Sequence, residues 1–218
     1  MIIDPAELGR RELNVLLNGL VAPRPIAWVS TVSADGTRNL APFSFFNAFS
    51  FFPPTIGIGP GSRDGINKDS LRNSRETGEL VVNLVSEDLA ELANLSSAEF
   101  PSEVDEWEVT GLEPAPSVVV VPDRVAASPA SLECRVSHIV DLGDPGLPTN
   151  SLIIAEVVRL HVKDEALDGL TPRPEALRLV GRMGGDWWVR TTDRFALPRP
   201  AVADMAQLGE RARGRAAI

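Results

Sequence analysis

Strand-sized apolar runs, each fenced by glycine or proline, leave this chain little room for long helices and point to a sheet of many short strands. Residues 26–32 form a β-branched run that ends in the turn residues Ala34-Asp35-Gly36, and 38–46 can return beside it. Residues 55–58 lie between Pro53-Pro54 and Gly59-Pro60-Gly61, and 80–85 and 118–121 read as further strands, the latter buried. From 132 onward one face carries Leu132, Cys134, Val136, His138 and Val140, while Glu133, Arg135 and Ser137 face the other way. That alternation is the period of a strand. Residues 151–162 are long enough to pair back across the Gly/Pro loop at 141–150, and 186–191 form a last short strand. Helices are fewer. Residues 4–20 open with Asp4-Pro5 as N-cap and N1, 69–76 end at Gly78, and Ser86 can cap a helix running to Asn94. Residues 96–117 read as loop. The pattern is mainly β, a barrel with a few peripheral helices.

The 218 residues are 44% hydrophobic and 23% charged, the proportions of a globular domain, here placed over residues 1–200. The Ala/Arg-rich tail, 201–218, is expected to be mobile or packed on a partner subunit. A net charge of −9, from 21 basic and 30 acidic residues, argues against nucleic acid or an anionic membrane surface as partner. A lone Cys134 with His138 and His161 excludes a Cys/His zinc site and suits a reducing cytoplasm. The N-terminus lacks an apolar signal core, and no window approaches the roughly 18 apolar residues of a spanning helix. A cytoplasmic protein is expected.

The most informative stretch is 23–85. It runs Pro23-Arg24-Pro25-Ile26-Ala27-Trp28-Val29-Ser30-Thr31-Val32, then Asp35-Gly36-Thr37-Arg38-Asn39-Leu40-Ala41-Pro42 and Phe43-Ser44-Phe45-Phe46-Asn47. Lys68-Asp69-Ser70-Leu71-Arg72-Asn73 and Thr77-Gly78-Glu79-Leu80-Val81-Val82-Asn83-Leu84 come next. With Ser128-Pro129, Leu132-Glu133-Cys134 and Gly181-Arg182-Met183-Gly184-Gly185, this series resembles the flavin reductase-like, FMN-binding split-barrel family, which includes flavoredoxin-like proteins. Two departures stand out. Phe52 precedes Pro53-Pro54 where relatives often carry an acid, and Phe43 stands where Tyr is common in a chain with no Tyr at all. A phenolic role is therefore not carried over.

The residues are consistent with such a site. FMN needs a slot for a flat ring, polar groups for its edge and ribityl chain, and donors for a phosphate. Ser30, Thr31, Ser44, Phe45, Phe46 and Asn47 supply the first two on neighbouring strands. Phe43, Phe45, Phe46, Phe49, Phe51 and Phe52 also fit an ordinary aromatic core. Ser62 in a Gly-rich loop, with Lys68, Asp69 and Ser70 at a helix start, makes an anion site; the plainer alternative is a solvated loop with Asp69 or Ser70 as N-cap. The loop has neither P-loop nor GxGxxG spacing. Gly184-Gly185 implies close approach of backbone to the flavin, the nicotinamide or another subunit, and Trp187-Trp188 suits core or dimer interface. His138 reads as a packed core residue and His161 as exposed and uninvolved.

The resemblance implies a homodimer holding FMN non-covalently at its interface, reduced by NADH or NADPH. The electrons would pass to free flavin, oxygen, a metal or a partner oxygenase. No residue is assigned as acid, base or nucleophile, because hydride transfer between two cofactors asks the protein mainly for alignment. A flavoredoxin-like electron carrier, and a barrel that has lost FMN and serves as a binding module, are the alternatives.

Overall fold

The computed structural model describes residues 1–61, 67–143 and 150–201. A 3-10 turn at Pro5–Glu7, with Asp4 accepting the Ala6 N–H at 2.9 Å, precedes α1 (Arg10–Leu20). The single helix expected over 4–20 is thus split at Leu8-Gly9, where the Glu12 carboxylate accepts the Gly9 N–H at 2.8 Å and restarts it. Then come β1 (Arg24–Pro25), β2 (Ala27–Val32), β3 (Arg38–Phe43), β4 (Phe46–Phe51) and β5 (Pro54–Ile58). Beyond them lie α2 (Asp69–Thr77), β6 (Glu79–Leu84), α3 (Ala90–Leu95), α4 (Glu106–Thr110), β7 (Pro114–Ala115) and β8 (Arg124–Val125). The chain continues through β9 (Ala130–Leu142), β10 (Asn150–Val162), β11 (Leu167–Asp168), β12 (Thr171–Pro172), α5 (Pro174–Leu177), β13 (Val180–Arg182) and β14 (Trp188–Arg190).

Among the described residues, seven strands form one antiparallel sheet in the order β3-β2-β6-β9-β10-β5-β4. Its two edges, β3 and β4, are separated in sequence only by Ser44 and Phe45. Laid flat, seven strands about 4.8 Å apart would put the edges roughly 29 Å from each other. The three Cα steps from Phe43 to Phe46 reach about 11 Å at most. The sheet must therefore curl into a barrel left open between β3 and β4. Ala27, Val29, Phe43, Ile58, Leu80, Val82, Cys134 and Ile153 fill its interior. The opposite face of β2 sends Trp28 into a second cluster with Leu40, Val85, Leu89, Ala93 and Trp107, covered by α3 and α4. Trp28 Nε1 donates to Ser96 Oγ at 2.8 Å. Burial on both faces explains why 26–32 reads as a continuous apolar run. No helix among the described residues is long and apolar enough to cross a membrane.

The second half departs from the sequence expectation in instructive ways. A register shift between Val136 and His138 leaves Ser137 as a bulged residue on β9. Beyond it the alternation inverts, so Ile139 packs on the core and His138, expected inside, is exposed. Residues 118–121 are not a buried strand. They bend so that the N–H groups of Val118, Val119 and Val120 converge on the Glu133 carboxylate at 2.8, 2.7 and 3.2 Å, and that of Val121 reaches Glu79 at 2.8 Å. His161 is half-buried and its Nε2 lies 2.5 Å from Glu133 Oε1, so it is neither exposed nor uninvolved. Phe49, Phe51 and Phe52 lie outside the core, and the 96–117 loop contains α4. The tail from 202 onward lies outside the described residues.

Glu133 is fully buried. Burial acts to raise its pKa, but the N–H groups of Val118 and Val119 and the His161 ring outweigh it and hold the carboxyl below its usual value. A depressed folded value gives stability that is present above the unfolded pKa of about 4.3 and lost as pH falls through the folded one. Glu133→Gln is expected to cost about 2–4 kcal/mol at neutral pH in denaturant titrations, since it leaves buried donors short of an acceptor. The loss should shrink on acidification; a pH-independent difference would contradict the account.

Candidate functional site

Helix α2 is placed by its own polarity. Leu71 enters the barrel core, Gly78 closes the C-terminus at φ +71, and Ser70, Asn73 and Ser74 are buried against the sheet. Asn39 of β3 donates through Nδ2 to Ser70 Oγ at 2.9 Å and to Thr31 Oγ1 at 3.3 Å, and Asn73 Nδ2 donates to the same Thr31 oxygen at 3.1 Å. This polar cluster pins the start of α2 to β2 and β3. Asn73 Oδ1 and Ser74 Oγ are buried with no hydrogen-bond partner among the described residues.

The N-cap of α2 is Lys68, which supplies no side-chain cap; its carbonyl accepts the Leu71 and Arg72 N–H groups, so among the described residues it is the N–H groups of Asp69 and Ser70 that are left for another acceptor. They border a cavity of about 410 Å³ walled by Asn39, Ala41 and Pro42, by Lys68, Asp69 and Ser70, and by residues 96–100 with Ser102. The Lys68 ammonium sits 5.3 Å above the Phe43 ring. The Asp69 carboxylate is engaged by Arg72 at 2.7 Å and by the Ser102 hydroxyl at 3.2 Å, which leaves the Asp69 N–H as its contribution. Glu106 closes one side of the cavity. It is 8% exposed, and its Oε2 accepts the Leu40 N–H at 3.0 Å. Burial pushes its carboxyl above the ordinary range, the Leu40 N–H works against this, and Asp69 and Asp105 add to the rise.

The second group of expected residues lies at the open side of the barrel. Ser44 is half-buried, and its Oγ accepts from Arg24 Nε at 3.2 Å. Arg24, only 6% exposed, also donates to the carbonyls of Asn18 at 2.5 Å, Val21 at 2.7 Å and Met183 at 3.0 Å. The C-terminal end of α1, the 183–185 turn and the β3–β4 corner are thereby tied together. Gly184 approaches α1 so closely that a Cβ there would meet Gly19 Cα at 3.0 Å; the segment that its glycines admit is α1 of the same chain.

Thr31, Lys68, Asp69 and Ser70 thus gather around one cavity and its supporting cluster. Ser62 lies outside the described residues. Ser30 faces away, and its hydroxyl donates to the Asp123 carbonyl. Phe46 packs on the barrel core, Phe45 is 47% exposed, and Asn47 is exposed with its Oδ1 accepting the Ala48 N–H at 2.9 Å. Ser44 and Asn47 therefore have protein partners already, which removes the reasoning that buried polar groups there need a cofactor. Sequence reasoning missed Asn39, Glu106 and Arg24 as site residues. Asn39 and Arg24 stand inside the informative stretch 23–85. The signal at Glu106 is slight: an acid just after the N-cap Asp105 of a five-residue helix.

An antiparallel barrel open along one side is the fold of the split-barrel flavin reductases. The chain belongs to the flavin reductase-like domain family, whose model matches residues 20–177. A solved structure of nitrilotriacetate monooxygenase component B from Bacillus cereus superposes with a TM-score of 0.87 at 31% identity, over 90% of this chain and 98% of its own. The 2-nitrobenzoate 2-nitroreductase NbaA of Pseudomonas fluorescens gives 0.83 at 32% identity, over 93% and 98%. An uncharacterized protein of Halalkalibacterium halodurans is 40% identical over 93% of this chain and 98% of its own.

The raised Glu106 value has a testable consequence. Between the ordinary carboxylate range and the raised value the folded state holds the extra proton, so stability falls as pH rises across that window. Glu106→Gln keeps an acceptor for the Leu40 N–H without the buried charge. It is expected to melt above the wild type at about pH 8 and level with it near pH 4. A lower melting temperature at the higher pH would refute this.

Proposed function

We propose that the cavity between β3 and the start of α2 receives the phosphate and ribityl end of FMN, and that the protein is an NAD(P)H-dependent flavin reductase. The observation that carries the reading is the uncapped N-terminus of α2, with Lys68 as its N-cap, opening on a cavity of about 410 Å³. That size falls within the roughly 300–1,000 Å³ range of cofactor sites. The donor set fits: first-turn N–H groups and an ammonium suit a phosphate, and Ser70 and Asn39 suit hydroxyls. Ala41, Pro42 and Phe100 give apolar wall. Family membership supports the same assignment.

Bound FMN would supply the acceptor for a hydride from the nicotinamide. The chain's own work is placement. Asn39 and Thr31 hold Ser70 and the helix start, Arg24 holds the β3–β4 corner, and Leu40 N–H orients Glu106 against the cavity. A Glu106 carboxyl that gives up its proton late sets less negative charge against a phosphate. An anaerobic spectrum before and after NADH or NADPH tests the reading. Bleaching of a yellow protein supports it; a yellow protein that neither nucleotide bleaches is an electron carrier, and a colourless one that resists FMN is a binding module.

A charge-assisted phosphate contact contributes about 1.5–3 kcal/mol, roughly 10- to 150-fold in affinity. Lys68→Ala is therefore expected to weaken FMN by that factor in fluorescence titrations while leaving riboflavin unchanged. Equal losses for the two flavins would remove the phosphate assignment.

We also propose that the chain is a homodimer. β4 is an open sheet edge, and Phe49, Phe51 and Phe52 on and beside it are 68%, 84% and 96% exposed. An apolar edge of this kind is normally covered. Sedimentation should give twice the 23.5 kDa chain mass, and Phe51→Glu should shift the protein toward monomer. A wild-type monomer at micromolar concentration would end the proposal.

A further inference from the structure

Strands β1 and β13 pair in a register that sets Arg24 directly opposite Arg182. Like charges facing each other across a ladder are destabilising. In a chain of net charge −9 an acidic neighbour would be easy to supply, and eight other arginines, Arg38, Arg72 and Arg178 among them, do pair with carboxylates. Among the described residues neither Arg24 nor Arg182 pairs with one. Asp186, on the same turn, is exposed and makes no ion pair there either.

The two arginines are held differently. Arg24 is buried and committed to Ser44 Oγ and three backbone carbonyls, all uncharged acceptors. It adds a fixed positive charge and offers no open surface. Burial and the facing Arg182 both act to draw its pKa down. Arg182 is half-buried. Its guanidinium lies 5.0 Å over the Trp188 ring and Nη2 donates to the Gly185 carbonyl at 2.9 Å, while Nε and Nη1 have no acceptor among the described residues. The turn that carries it is closed by Met183 N–H to the Trp187 carbonyl at 2.9 Å and is seated on Gly19 through Gly184. A fork so placed loses little freedom on engaging an anion. Trp187, 77% exposed on that turn, gives a flat apolar surface beside it.

We propose that Arg182, backed by the buried charge of Arg24, is the contact for the phosphate or carboxylate of a small molecule that docks on the 183–188 turn. This anion site is separate from the α2 N-terminus. Arg24 links the two regions through Ser44, which stands two residues beyond Pro42 of the cavity wall. A reactant seated there would be anchored beside the open edge of the barrel.

Calorimetric titration of the full chain at low ionic strength with inorganic pyrophosphate, and separately with benzoate, tests the site and tells the two anion sources apart. One of the probes should bind the wild type and lose about tenfold or more in affinity in Arg182→Gln, and less in Arg182→Lys, which keeps the charge and loses the fork. Because pyrophosphate also fits the α2 N-terminus, the comparison is repeated in the Lys68→Ala background; there the loss caused by Arg182→Gln should persist within about twofold, so failure of the flavin-phosphate assignment is read separately. Thermal melts confirm folding, and if Arg182→Gln melts early, the Arg182→Lys comparison decides. Binding of neither probe, equal binding by wild type and both Arg182 variants, or no effect of Arg182→Gln in the Lys68→Ala background would overturn the proposal.

Discussion

Ser44 and Phe45 join the two edges of a seven-stranded sheet, and that short link constrains most of the molecule. It forces the sheet to curl without letting the edges pair, so that among the described residues the barrel is open between β3 and β4 alone. The cavity wall at Asn39–Pro42 lies just before the link and the exposed Phe45 at its far end. Arg24 braces the link from behind through Ser44. The Gly59 N–H, donating to the Phe45 carbonyl at 2.7 Å, holds the other half of the link, so the corner is tied from both sides.

Buried charge is handled in three distinct ways around this frame. Glu133 is surrounded by converging N–H groups and a histidine, and stays ionised below its ordinary range. Arg24 is held by neutral carbonyls and keeps a positive charge with no carboxylate beside it among the described residues. Glu106 accepts the Leu40 N–H and has two acidic neighbours, so burial wins and its carboxyl is raised. The first is a structural lock on the opposite side of the sheet from the cavity. The other two border the region proposed for ligands, where an incompletely neutralised group can respond to what binds.

The strand pattern, the turn at 34–36 and the α2 helix with its Gly78 stop were legible because local periodicity and turn chemistry decide them. The candidate site was legible to the extent that motif residues are also neighbours in space: Lys68, Asp69 and Ser70 line one cavity, with Thr31 behind Asn39. What could not be read depends on contacts distant in sequence. Residues 118–121 look like any buried β-branched run, and only Glu133, brought beneath them by β9, turns their N–H groups inward. His138 obeys the alternation until the Ser137 bulge reverses it. The Phe cluster has core composition, but Gly57 lets the Phe49 ring lie on β5 from outside, where a Cβ would come within 2.5 Å of it. The role of Arg24 needs α1, β3 and the 183–185 turn at once, which no local window contains.

These placements bear on how the chemistry can be divided. Both histidines are away from the cavity: His138 faces outward from β9, and His161 is committed to Glu133. Cys134 is buried, with its thiol pushed up by burial and by the Glu133 charge, so it offers no thiolate. Among the described residues at the cavity, Glu106 is the one group with a raised carboxyl, and the Leu40 N–H orients it. Proton exchange, where a reaction needs it, would fall to Glu106 or to solvent, and rate would then depend more on how firmly Asn39, Arg24 and α2 fix the walls than on any single acid or base.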